Sequence, residues 1–153
     1  MRKLIKIIND IANRSTELKN KFTNVSTTPM EFVCIFCQNE EEYKELTISI
    51  NTLGKIVQKT KSGFIYLLDE PIKTKAGSSR LIKIRKPDPQ RPERGDADFK
   101  TDYKNFKKRY QKNPRFELIK RGTFEMLRLS SPNFKVMSCF SNIPKSKELG
   151  IKL

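Results

Sequence analysis

The sequence predicts an α+β fold in which two βαβββ modules follow an amphipathic N-terminal helix. The main observation is an internal repeat: in each half, two residues of helical spacing precede a glycine and a phenylalanine, and the distance from the tyrosine to the phenylalanine is the same in both halves. Such a repeat indicates two similar units packed side by side. A helical pattern at the N-terminus and several short β-branched or aromatic runs supply the other elements. The repeated residues are Tyr43, Leu46, Gly63 and Phe64 in the first half, and Tyr103, Phe106, Gly122 and Phe124 in the second.

The first half supplies a leading helix and one complete module. Residues 3–22 carry apolar side chains near helical spacing, which predicts an amphipathic helix. Asn39 predicts the start of the second helix, because its side chain can cap a free backbone N–H and three glutamates follow in the first turn. Strands are predicted at 31–36, 55–60, 64–69 and 80–85, with a linker at 70–79.

The second half repeats this order. A strand at 96–100 precedes a helix that Asp102 caps and that ends near Gln111, and three strands follow near 116–120, 123–129 and 134–140. Three prolines and Gly95 mark the boundary between the modules. The predicted units are the N-terminal helix and loop at 1–29, the first module at 30–87, the second module at 95–143, and a tail helix at 144–153 that packs Leu149 and Ile151 on the body.

Charge and composition limit the chemistry. The formal net charge is +15, from 32 Lys and Arg against 17 Asp and Glu, which favours a polyanionic partner but equally fits a lysine-rich composition. The chain has no histidine, so a histidine-dependent triad and an imidazole zinc site are excluded. Acid–base chemistry would fall to Asp, Glu, Lys, Tyr or Cys.

The cysteines and the N-terminus predict a cytoplasmic protein. Three cysteines are an odd number, and no signal peptide is evident. No apolar run approaches the about 20 residues that cross a bilayer, so we expect no membrane partner. Cys34 and Cys37 lie three apart on a predicted strand and face opposite sides, which favours buried structural cysteines over a metal or redox pair.

The order of elements resembles the vicinal oxygen chelate superfamily, which includes glyoxalases and extradiol dioxygenases. The segments Glu31–Phe36, Phe64–Pro71, Leu81–Pro87 and Gly95–Phe99 are similar to a bacterial branch that also has a leading helix. The resemblance covers roughly residues 30–149. It implies that the modules join edge to edge into a curved mixed sheet around a shared cavity. It also leaves room for a homodimer, since members often pair modules between chains.

The resemblance further implies where metal ligands would lie. In metal-dependent members they come from the first and last strands of each module and are usually His and Glu. The matching positions here are Phe32, Lys83 and Asp98, and the final strand offers no carboxylate. Because a dication needs several converging ligands, we expect no metal centre, and no cofactor is indicated.

Strand alternation predicts a ligand site instead. If Ile82 and Ile84 pack against the helices, Lys83 and Arg85 face the opposite side of the sheet. If Ala97 and Phe99 do the same, Asp98 also faces that side. A few polar groups in an apolar wall suit a small anionic ligand. The predicted polar groups are Lys83, Arg85 and Asp98, with Arg94 near the rim, and the predicted wall is Phe32, Cys34 and Phe36. The alternative is that Lys83 and Asp98 simply form an ion pair where the modules meet.

The arginine-rich segment between the modules, Arg85–Asp98, has two interpretations. Its arginines can bind carboxylate or phosphate in a bidentate fork, held in place by the prolines. Alternatively it is a rigid linker whose arginines pair with Asp88, Glu93 and Asp96.

Three functions follow from these observations. The leading hypothesis is a glyoxalase-like protein that binds a small anionic molecule without a metal. The first alternative is a nucleic-acid-binding accessory protein that uses the basic helix at 102–112. The second is a metal-independent isomerase or lyase with Asp98 as base and Lys83 as its electrostatic partner.

Overall fold

The computed structural model describes residues 1–153, and its elements follow the predicted order. The helices are α1 (Arg2–Phe22), α2 (Glu40–Asn51), α3 (Tyr103–Tyr110) and α4 (Lys145–Glu148). The first module holds strands β1 (Met30–Phe36), β2 (Gly54–Thr60), β3 (Gly63–Thr74) and β4 (Gly77–Arg85). The second holds β5 (Gly95–Phe99), β6 (Phe116–Arg121), β7 (Phe124–Ser130) and β8 (Met137–Ser141).

The eight strands form one mixed sheet in the order β2-β3-β4-β1-β5-β8-β7-β6. Each module contributes four neighbouring strands, and the modules join where β1 pairs antiparallel with β5. Within each module the first and last strands run parallel, as β1 with β4 and β5 with β8. The two βαβββ modules of the predicted α+β fold are therefore confirmed.

Helices α1, α2 and α3 cover one face of this sheet. Strand alternation turns the odd-numbered apolar residues of β1 and β5 toward them, and α1 spans the junction of the modules. We call the opposite face the distal face. The apolar core between helices and sheet includes Leu4, Ile8, Ile11, Leu46, Val33, Ile35, Ile82, Ile84, Ala97, Phe99, Phe106 and Phe140.

The junction of the modules requires a residue without a side chain at position 95. A Cβ added to Gly95 would collide with the carbonyl oxygen of Cys34 and with the side chain of Ile11. The close approach of β5 to both β1 and α1 therefore depends on glycine here.

The predicted linker at 70–79 is wrong. Strand β3 continues to Thr74 and β4 begins at Gly77, so the segment forms the end of a β-hairpin. The pairing register shifts between Leu67 and Ile72, where Pro71 lies, and then resumes. Proline lacks an N–H and is tolerated at such an irregularity, so it did not end the strand.

The helix starts were predicted with mixed success. Asn39 caps α2, since its side chain accepts a bond of 2.8 Å from the backbone N–H of Glu42. Asp102 precedes α3 but makes no side-chain capping bond. The tail helix is shorter than predicted and covers only Lys145–Glu148. No helix is both long enough and apolar enough to span a membrane.

Candidate functional site

Strand register shows which side chains share the distal face. Residues directly opposite each other on paired strands point to the same side. Cys34 lies opposite Lys83 on β4 and opposite Asp96 on β5, and Asp96 lies opposite Met137 on β8. These four residues therefore form a row across the four central strands.

A second row runs parallel to the first. Phe32 lies opposite Asp98, Asp98 opposite Cys139, and Cys139 opposite Arg128 on β7. Charged side chains from both modules thus share one face with cysteine, methionine and phenylalanine. This is the face on which strand alternation predicted the ligand site.

Lys83 and Arg85 lie on the distal face beside the predicted apolar residues. The Lys83 ammonium donates a hydrogen bond of 2.8 Å to the Ser62 hydroxyl and has no carboxylate oxygen within 4 Å. The Arg85 guanidinium stacks 4.7 Å from the centre of the Phe36 ring and lies 3.9 Å from Asp88. The alternative ion pair between Lys83 and Asp98 is therefore not formed.

Arg94 was predicted at the rim of the site, but its side chain lies away from Lys83 and Arg85. Its guanidinium donates to both carboxylate oxygens of Glu42 on α2, at 2.8 and 3.0 Å, and to the carbonyl of Phe36 at 2.9 Å. The Glu42 side chain is only 10% exposed. Arg94 thus ties the inter-module loop to α2, on the helix side of the sheet.

Three residues of the distal face, Asp96, Arg128 and Cys139, were not predicted as part of the site. Asp96 and Asp98 lie two apart on β5, so the alternation that identified Asp98 also applies to Asp96. The Cys139 sulfur and one oxygen of each carboxylate lie within 4.8 Å of one another. Arg128 comes from an outer strand, and its guanidinium bonds Glu117 at 2.7 Å.

The environment of the two aspartates disfavours their charged forms. Burial raises the pKa of Asp96 to about 6, although Arg128, Arg85 and Lys83 act in the opposite direction. Burial, reinforced by the charge of Asp96, raises the pKa of Asp98 well above its ordinary value. Burial also lowers the pKa of Lys83. Asp96 can therefore bind and release a proton near neutral pH, as a general acid or base requires.

The distal residues fit a divalent metal poorly. The three converging donors, Asp96, Asp98 and Cys139, all come from the second module. The first module contributes the aromatic ring of Phe32, the ammonium of Lys83 and the Cys34 thiol, and burial raises the pKa of that thiol well above its ordinary value. A dication here would share the face with the cationic side chains of Lys83, Arg85 and Arg128, which would repel it.

The C-terminal segment covers the distal face of the first module. Leu149 and Ile151 pack against a cluster formed by Phe32, Ile65 and Leu81, as predicted for the tail. The backbone N–H of Ser146 donates a buried bond of 2.7 Å to the Glu31 carboxylate. Of the predicted apolar wall, Phe32 is therefore covered by the chain itself.

The second module retains an open cleft of about 630 Å³. Arg128 and Met137, both on the distal face, form part of its lining. The loop at 91–93 and the loop at 131–136 supply most of the remaining lining. The cleft is thus displaced toward the second module from the site predicted around Lys83 and Phe32.

Comparison with known proteins gives structural similarity without sequence similarity. No family model matches the chain, and no curated protein matches it. A solved structure described as a structural-genomics protein, EC4020, is similar over 97% of this chain and 91% of its own, with a TM-score of 0.76 and 10% identity. A glyoxalase/bleomycin resistance protein/dioxygenase superfamily member from Vibrio splendidus 12B01 gives a TM-score of 0.47 and 8% identity, over 75% of this chain and 98% of its own.

The architecture decides the fold. Two βαβββ modules meet through their first strands, and helices cover only one face of the joint sheet. This is the arrangement that the resemblance of the sequence implied, and at 10% identity the likeness to EC4020 bears on fold alone. The chain therefore has an α+β fold of two βαβββ modules in one sheet, which it shares with EC4020 over 97% of its length.

Proposed function

We propose that this protein binds a small anionic molecule on the distal face of the sheet and does so without a metal. The observation that carries the proposal is that three cationic side chains, Lys83, Arg85 and Arg128, lie on this face, in register with Cys34, Phe36 and Cys139 of the central strands. They come from strands of both modules and lie among apolar side chains. Such a mixture of few charges and apolar surface is typical of small-molecule sites.

The state of these cations supports an anionic ligand. Lys83 is half-buried, and its pKa is lowered by burial, so a nearby anion would favour its charged form. Arg85 has only a distant carboxylate, Asp88 at 3.9 Å. Arg128 uses one nitrogen for Glu117, which leaves other N–H groups of its fork free. A ligand carboxylate or phosphate would give these three cations a partner for hydrogen bonds and charge pairing.

Thermal unfolding in the presence of small anions tests the proposal. At ten times its dissociation constant, a bound anion is expected to raise Tm by roughly 3–6 °C, since binding to the native state stabilises it. Suitable probes are phosphate, phenyl phosphate and benzoate, each against sodium chloride of equal ionic strength. Benzyl alcohol, which lacks the charge, is expected to give no shift.

Two triple variants test where on the molecule the anion binds. The distal variant Lys83→Met/Arg85→Gln/Arg128→Gln is expected to lose the shift, whereas Lys104→Gln/Lys108→Gln/Lys112→Gln on the exposed surface at α3 keeps it. Both variants lower the net charge equally. Loss of the shift in the α3 variant alone would favour the basic helix and a polyanionic partner, and would contradict the distal site.

A further inference from the structure

We infer that the ligand lies in the cleft of the second module and combines a carboxylate or phosphate group with an apolar body. This inference rests on the proposed function and adds the position and chemical class of the ligand. The cleft has a volume of about 630 Å³, which lies within the common range for small-molecule sites.

The position follows from what already occupies the other half of the distal face. Leu149 and Ile151 fill the space over Phe32 and Leu81, and Cys34, Phe36 and Met137 pack together at the junction. Ligand-sized space therefore remains beyond Met137, on the second module.

The cationic lining of the cleft indicates an anionic group. Arg128 lies on the floor with its side chain only 12% exposed, fixed by Glu117. Arg91 comes from one bordering loop and has Glu93 at 3.7 Å. Lys135 comes from the other loop, and its ammonium has no ion pair or hydrogen bond within the protein. A ligand carboxylate or phosphate would supply the missing partner of Lys135 and accept from Arg128.

The remaining lining indicates the apolar body. Met137, Pro92 and Pro132 present carbon atoms to the cleft, while Ser130 and Ser131 add hydroxyl groups. Inorganic phosphate could use only the polar part of this surface. A ring or short alkyl chain attached to the anion would also bury the apolar part and gain free energy from it.

Lys135 offers a variant that removes charge without disturbing the fold. Its backbone φ is 55°, in the left-handed region where asparagine is more common than lysine. Lys135→Asn therefore deletes the cation at a position whose backbone suits the new residue. Lys73→Asn, on the exposed end of the β3–β4 hairpin, is the matched control.

Isothermal titration calorimetry with the full-length protein tests the inference. Phenyl phosphate or benzoate is expected to bind wild type roughly tenfold more tightly than inorganic phosphate, and benzyl alcohol is expected not to bind. Lys135→Asn and Arg128→Gln should each weaken the better anion by roughly tenfold, as for the loss of one charge-assisted contact. Lys73→Asn should leave its affinity within about threefold, because Lys73 does not line the cleft, and Lys83→Met should weaken it less than Arg128→Gln does.

The contrary outcomes separate the inference from the proposed function. If Lys83→Met abolishes binding while Lys135→Asn and Arg128→Gln retain it, the ligand lies on the first module; the cleft assignment is then wrong and the proposed function stands. Equal affinity for phosphate and phenyl phosphate would overturn the apolar body. If no anion binds wild type, the inference and the proposed function both fail.

Discussion

Replacing Arg94 with methionine is expected to lower the free energy of unfolding by about 2–4 kcal/mol. Arg94 supplies both short bonds to the Glu42 carboxylate, whose side chain is 10% exposed, so its loss leaves a nearly buried charge without its main partner. Lys3 at 3.8 Å compensates only in part because it is about half exposed. Urea denaturation of the variant and wild type measures the change.

The control for this prediction comes from the same loop. Arg91 lies 3.7 Å from Glu93 in a more exposed pair, so Arg91→Met is expected to cost less than about 1 kcal/mol. The double variant Arg94→Met/Glu42→Leu should recover much of the loss, since it removes the stranded charge. Equal costs for Arg94→Met and Arg91→Met would show that the bond to α2 does not hold the inter-module loop.

Replacing Asp96 with asparagine is expected to raise the free energy of unfolding by about 1–3 kcal/mol at pH 8, because the native state disfavours the ionised carboxylate. The folded-state pKa of Asp96 is about 6 against an ordinary value of 3.8, so the native state binds the proton more tightly than the unfolded state. The stability that this proton contributes is fully present below about pH 4 and is lost as the pH rises through about 6. Asparagine stays neutral and avoids that loss.

Denaturation at pH 4 and pH 8 distinguishes this cause from a change in packing. The gain in Asp96→Asn should be large at pH 8 and near zero at pH 4, where the wild-type carboxyl is already neutral. Asp69→Asn, at an exposed position, should change stability by less than about 0.5 kcal/mol at either pH. A gain of equal size at both pH values would mean that the charge of Asp96 is not the cause.

The sequence was sufficient to predict the order of elements and which side chains of β4 face away from the helices. Strand alternation needs only the identity of neighbouring residues, so Ile82 and Ile84 correctly turned Lys83 to the distal face. The hairpin at 70–79 was missed because Pro71 usually ends a strand, whereas here it lies at a register shift from which the pairing recovers.

Contacts between distant segments could not be predicted in the same way. Arg94 was predicted to lie near the ligand, whereas it pairs with Glu42 on α2. Nothing in the sequence around either residue indicates this pairing, because the two lie on different elements. The packing of Leu149 and Ile151 was foreseen, but not the surface that they cover. That surface depends on how the tail returns over the first module, and it moves the open space to the side of Met137.

Amide chemical shifts recorded during a titration with benzoate or phenyl phosphate test the central claim most directly. Binding on the distal face predicts saturable shifts at Arg128, Ser130, Lys135 and Met137, with little change in α3. Saturable shifts confined to α3, or shifts that merely follow ionic strength, would contradict an anion site on the distal face of the sheet.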